Sequence, residues 1–296
     1  MKLAGVFAPV PTPFDERGEV DTARLTRAFA RWVQTPLTGF VVLGSNGEAP
    51  FLDDAESDRV IDAARAVVPR GRPFLAGTGR ESTRATISAT LRAAALGADA
   101  VLVRTPGFFK SQMTSDLFVR HYMAVADASP VPVLLYNFTA VTGVTLMPDA
   151  VTRLSSHPNI IGMKESAGDV TRMADLVAAA PPPFMLLAGS STTFHPLLQA
   201  GAAGGVLALS SVVPAACSRL FELSRSGRHD EARMLQEQLV PLSQLVGAKY
   251  GVAGLKAALN LSGYDVGIPR SPLAPASESA CRAIKDALAT FEEVAA

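Results

Sequence analysis

Eight short apolar runs constrain how this chain can fold, because most of them show no alternation with polar residues. They cover residues 5–8, 39–43, 73–76, 100–103, 131–136, 160–163, 184–188 and 205–209. A strand with one wet face alternates, whereas a parallel strand covered on both faces reads as a continuous apolar run. The stretches between the runs carry helical spacing instead. Leu25, Phe29, Trp32 and Val33 share one helical face, which makes Trp32 a packing residue. Asp53 offers an N-cap with Glu56 three residues on, ahead of Val60, Ile61, Ala64 and Val67. Gly97 and Gly201 stand where helix C-terminal glycines belong, each just before the next run. Eight βα units in roughly 220 residues fit an α/β architecture, the (β/α)8 or TIM barrel. After Ser211 the runs stop, and residues 214–225, 229–246, 252–261 and 278–292 read as helices. The expected organisation is a barrel carrying the active site over residues 1–224. A small C-terminal helical region over 225–296 follows it without a flexible linker.

Composition narrows the function. Hydrophobic residues at 48% and charged residues at 18% suit a well-buried core. The net charge is zero and no basic stripe is interleaved with aromatics, so no nucleic-acid partner is expected. No apolar run approaches the ~20 residues that span a bilayer. The N-terminus lacks the pattern of a signal or transit segment, so the expected location is cytoplasmic. Cys217 and Cys281 are the only cysteines, which indicates neither a disulfide framework nor a Cys-based zinc site. His121, His157, His195 and His229 are scattered, with no metal-ligand spacing. No metal and no cofactor are expected.

Lys164 is out of place in this composition. The chain has six lysines against 21 arginines, and this one ends the run Ile160-Ile161-Gly162-Met163. Burying an ammonium disfavours its charged form and frees a nucleophilic amine, which can form a Schiff base with a carbonyl. The plainer alternative is a strand-end lysine that snorkels to water. In a barrel, catalytic groups gather at the C-terminal ends of the strands. Tyr136 and Asn137 end the fifth run, so an amine and a phenol from adjacent strands face one mouth. That pair suits covalent catalysis with proton transfer. Ser166 shares the Lys164 face and Glu165 takes the opposite one, as a packing contact rather than a base. The turn Gly44-Ser45-Asn46-Gly47 after the second run offers backbone N–H groups and small polar side chains to a carboxylate or phosphate. Glu48 is expected to open the following helix, where a carboxylate suits the dipole. His195 follows the seventh strand's turn, either lining the mouth or standing at a helix N-terminus. The turns Gly189-Ser190-Ser191 and Ser210-Ser211 hold no Arg or Lys, which favours hydroxyl and amide contacts over a phosphate grip.

The Gly-x-x-Gly-Glu turn at 44–48, the Tyr136-Asn137 pair and Gly-x-Lys-x-Ser at 162–166 resemble the motifs of one superfamily. It is the pyruvate-dependent class I aldolases and lyases of dihydrodipicolinate synthase and N-acetylneuraminate lyase, and the resemblance covers essentially the whole chain. It implies that Lys164 is the Schiff-base lysine, Tyr136 the proton shuttle and Ser45-Asn46 the cradle of a 2-oxo acid carboxylate. Gly47, Ser166, Gly189 and Val206 complete the candidate substrate-binding set. It also implies a homo-oligomer, a tetramer or dimer. Within the superfamily, segments 39–48, 157–172, 201–206 and 254–256 are similar to 4-hydroxy-2-oxoglutarate aldolase. Dihydrodipicolinate synthases read Thr-Thr where Ser45-Asn46 stand. They carry an arginine where Val141 stands, and a tyrosine crossing a subunit interface in the region of Phe108-Phe109. The implied reaction is retro-aldol cleavage of a 4-hydroxy-2-oxo acid. A 2-keto-3-deoxy sugar-acid aldolase or dehydratase, a 4-hydroxy-tetrahydrodipicolinate synthase and a non-catalytic 2-oxo acid binder are the alternatives.

Overall fold

The computed structural model describes residues 3–295. Eight parallel strands close into a barrel: β1 (Gly5–Pro9), β2 (Gly39–Val42), β3 (Phe74–Gly77), β4 (Ala100–Arg104), β5 (Val133–Asn137), β6 (Ile160–Glu165), β7 (Met185–Ala188) and β8 (Gly204–Val206). They lie in sequence order, and β8 returns to pair with β1. This is the TIM barrel expected from the apolar runs. The helices α1 (Thr22–Trp32), α2 (Asp54–Arg65), α3 (Thr83–Ala95) and α4 (Ser115–Ala128) follow the first four strands. A single turn, α5 (Thr139–Thr142), and α6 (Pro148–Ser155) follow β5, while α7 (Val170–Ala179) and α8 (Phe194–Gln199) follow β6 and β7. Beyond β8 come α9 (Pro214–Arg225), α10 (His229–Gln244), α11 (Gly251–Leu261) and α12 (Glu278–Ala295).

Local signals account for the helix boundaries. Asp53 and Glu56 form a reciprocal capping box at the start of α2. Gly97 and Gly201 adopt φ of +90° and +107°, a conformation that β-carbon sterics disfavour for other residues. Strand limits differ from the apolar runs by more than one residue at three places. β5 starts at Val133, not 131, because Pro132 has no N–H to give to a ladder. β8 stops at Val206, where Ser210 bonds the Phe7 and Leu207 carbonyls and residues 208–211 coil into a 3-10 turn. β6 continues two residues beyond its apolar run, through Lys164 and Glu165, because both pair on either side with β5 and β7.

Two cores result. Inside the barrel Phe7, Val41, Leu75, Leu102, Leu134, Tyr136, Leu187 and Val206 pack together. Each fully buried Leu, Val or Phe there contributes roughly 1.5–3 kcal/mol. The larger core lies between the strands and the helices and includes Trp32, which is fully buried. Trp32 stacks on Tyr264 with ring centroids 4.8 Å apart, and its Nε1 donates to the Ser211 carbonyl at 2.8 Å. That contact joins α1 to the segment after α11. Among the described residues no helix is long and apolar enough to cross a membrane.

Candidate active site

The β5–β6 ladder sets the central pair. Tyr136 and Lys164 are direct partners in register, so their side chains share a face. Tyr136 belongs to the interior core, and Lys164 stands beside it with Nζ 4.3 Å from the phenol ring centroid. Only 6% of Lys164 is exposed, and among the described residues it forms no ion pair with a carboxylate. An amine placed against an aromatic face without an anionic partner suits covalent chemistry with a carbonyl.

The next residue along each strand faces outward and holds the pair in place. Asn137 donates from Nδ2 to Glu165 Oε2 at 2.9 Å, and its Oδ1 accepts the Leu146 N–H at 2.9 Å. Glu165 also takes the Ala167 N–H at 2.8 Å and pairs with Arg172 of α7 at 2.9 Å. Glu165 is therefore a buried strut rather than a base. Ser166 lies one strand step beyond Lys164 on its face, and its hydroxyl is buried with no partner. A β-carbon on Gly189 would come within 2.0 Å of that hydroxyl, so β7 can pass the serine only with a glycine there.

The strand-two turn closes the other side. Ser45–Gly47 form a 3-10 turn, and Ser45 Oγ lies 3.2 Å from the Tyr136 hydroxyl. Thr12 Oγ1 donates to the Gly47 carbonyl at 2.7 Å and fixes the turn against the loop after β1. Asn46 lies within this turn, half-buried. Val206 completes the inner wall, in register with Phe7. Phe138 stacks on Tyr136 with centroids 6.1 Å apart.

Two expectations need revision or placement. Glu48 does not open a helix. It adopts a left-handed conformation, φ 55° and ψ 30°, between two 3-10 turns, and its buried carboxylate pairs with Lys256 at 2.7 Å. Lys256 is a residue the sequence reasoning missed as a partner of this turn, though a lone lysine in the apolar string Gly254-Leu255-Lys256-Ala257-Ala258-Leu259 was a signal of the same kind as Lys164. His195 takes the helix N-terminal place of its two expected positions, in the first turn of α8. It is buried in α8, with Nδ1 2.8 Å from Ser224 Oγ of α9 and its N–H donated to Gln236 of α10. Among the described residues no group of three or more His, Cys, Asp and Glu side chains is placed to hold a metal ion.

Comparison with known proteins settles the family. The model of the dihydrodipicolinate synthetase family matches residues 2–291. The chain belongs to that family. It is 39% identical to the probable mitochondrial 4-hydroxy-2-oxoglutarate aldolase of Emericella nidulans, over 99% of this chain and 96% of the relative. It is 36% identical to the 4-hydroxy-tetrahydrodipicolinate synthase of an Exiguobacterium species, over 99% of each. A solved structure of YagE, a prophage protein of the dihydrodipicolinic acid synthase family from E. coli K12 in complex with pyruvate, superposes with a TM-score of 0.92 at 28% identity, covering 99% of each chain. Family members are class I lyases that use a lysine Schiff base, and this chain is a pyruvate-dependent enzyme of that kind.

Proposed function

We propose that the chain is a 4-hydroxy-2-oxoglutarate aldolase, with Lys164 as the Schiff-base nucleophile and Tyr136 as its proton shuttle. The observation that carries the reading is the buried, carboxylate-free Lys164 amine beside the Tyr136 ring. The amine adds to the C2 ketone to give a carbinolamine. Tyr136 delivers the proton with which water leaves, and a protonated imine remains. The C4 hydroxyl gives its proton to the Tyr136 phenolate, the C3–C4 bond breaks, and its electron pair moves into the imine to form an enamine. Glyoxylate leaves. Protonation of the enamine at C3 and hydrolysis of the imine then release pyruvate and restore Lys164. The Ser45-Asn46 turn holds the C1 carboxylate, with Gly47 giving it shape. Ser166 supplies a free hydroxyl beside the reacting carbons, and Gly189 and Val206 line the wall.

Two features support this substrate over the synthase reaction. The Emericella relative carries the aldolase name. Val141 stands where the resembling synthases hold a carboxylate with arginine. Relatives from Exiguobacterium and Xanthomonas carry the synthase name, which makes that reaction the runner-up. We also infer a homo-oligomer, supported by the exposure of the Phe108-Phe109 pair.

Borohydride reduction with pyruvate tests the chemistry, and peptide mass should place the adduct on Lys164. Pyruvate release is then followed with 4-hydroxy-2-oxoglutarate and with 2-keto-3-deoxygluconate. Release from the second alone would discard the substrate assignment, and absence of any adduct would discard the catalytic role of Lys164.

A further inference from the structure

The turn that cradles the substrate carboxylate is held from below by the C-terminal helical region. We propose that Lys256 of α11 is a positioning residue for 2-oxo acid binding, acting through the Glu48 carboxylate on the Ser45–Gly47 turn. The proposal rests on the roles given above to Lys164 and to that turn.

Glu48 is both the closing residue of the turn and its anchor. Its N–H bonds the Ser45 carbonyl at 3.1 Å, while its backbone holds the left-handed conformation that β-carbon sterics disfavour. Two contacts on the side chain keep it there. Oε1 pairs with Lys256 Nζ at 2.7 Å, and Oε2 accepts the Arg270 N–H at 2.8 Å. Both side chains of the ion pair are 1% exposed. Lys256 is fixed in turn, donating to the Ile268 carbonyl at 2.9 Å under the Phe14 ring, whose centroid is 4.4 Å from Nζ. Nothing in this arrangement reaches the reacting carbons. It reaches Ser45, three residues before Glu48, whose hydroxyl meets Tyr136.

Removing one member of a buried ion pair leaves an uncompensated charge that must find water. For Glu48 the route to water carries the turn with it. Ser45 then leaves Tyr136, and the N–H groups of the turn lose their aim at the substrate carboxylate. The defect therefore falls on binding of the 2-oxo acid, not on the covalent steps at Lys164.

The charges facing the pair are Arg270, from the segment after α11, and behind it Glu56 of α2, which Arg270 binds. Burial pushes the Lys256 ammonium down to about 8; the pull of Glu48 opposes the shift and Arg270 adds to it. As pH climbs through that value Lys256 sheds its proton and Glu48 loses its cation. Pyruvate binding then weakens on the alkaline side.

The test uses the full chain, with pyruvate as the probe and borohydride trapping on Lys164 as the readout. Lys256→Met should need at least about fivefold more pyruvate for half-maximal trapping, while the adduct yield at saturation and kcat stay within about threefold. Glu48→Gln, nearly isosteric, should raise the half-saturating pyruvate by at least about twofold at pH 7 and remove its further rise above pH 8. Where Lys256→Met fails to fold, as judged by circular dichroism, Glu48→Gln decides alone. Half-saturation below these factors, or an alkaline rise that persists in Glu48→Gln, would overturn the positioning role. An unmodified chain that forms no adduct would instead count against the Schiff-base reading itself.

Discussion

Tyr136 has two tasks that a single substitution separates. Its ring forms one wall for the Lys164 amine, and its hydroxyl meets Ser45 and, in the proposed reaction, moves the proton. Tyr136→Phe keeps the ring and removes the hydroxyl. We expect kcat to fall by about 10²–10³-fold, the usual scale for losing a positioned acid–base group, while the pyruvate adduct on Lys164 still forms. Steady-state rates beside borohydride trapping would check this; a kcat within a factor of a few would remove the shuttle. The placement of Lys164 and Tyr136 at one mouth was readable in the sequence because each ends an apolar run. Glu48 was misread because the string Gly44-Ser45-Asn46-Gly47-Glu48 carries no sign of its partner. The pairing with Lys256 joins the second βα loop to α11, and no local spacing encodes a contact of that range.

At the scale of elements, β6 and α7 work as one unit. Lys164 points into the barrel while its neighbour Glu165 points out, and the outward residue is tied to Asn137 and Arg172. Arg172 also donates to the Leu146 carbonyl at 2.7 Å, so one guanidinium ties α7 to both β6 and the loop before α6. Arg172→Ala would leave a carboxylate with 1% exposure short of its cation. A loss of about 2–4 kcal/mol is expected, toward the lower side of buried-pair values because Arg172 is partly wet. Thermal denaturation would show a lower Tm, and a Tm shift under one degree would mean that Asn137 and the Ala167 N–H suffice. The strands were legible because a parallel barrel needs unbroken apolar runs. Their ends were less so. Whether β6 stops at Met163 or continues through Lys164 depends on ladder bonds with two neighbours, not on side-chain type.

Across the whole molecule, the largest exposed aromatics are adjacent. Phe108 and Phe109 are 77% and 63% exposed and meet edge to face, with Val141 and Met147 also uncovered. A contiguous exposed apolar patch can mark an association site. Replacing both phenylalanines with serine should shift sedimentation toward a smaller species at equal concentration. An unchanged sedimentation coefficient would move the interface elsewhere. The expectation of an oligomer came only through resemblance, since a single chain's periodicity records its own core and not its neighbours.

Trp32 gives the molecule a property of another kind. It is the one tryptophan in the chain, and it lies between a barrel helix, the Ser211 carbonyl and the Tyr264 ring. Its ultraviolet emission therefore comes from one place, the seam where the last part of the chain docks against the first. A wavelength shift during denaturation reports the opening of that seam, while far-ultraviolet dichroism reports the helices as a whole. The native protein thus carries its own label for whether the C-terminal region and the barrel come apart together or in turn.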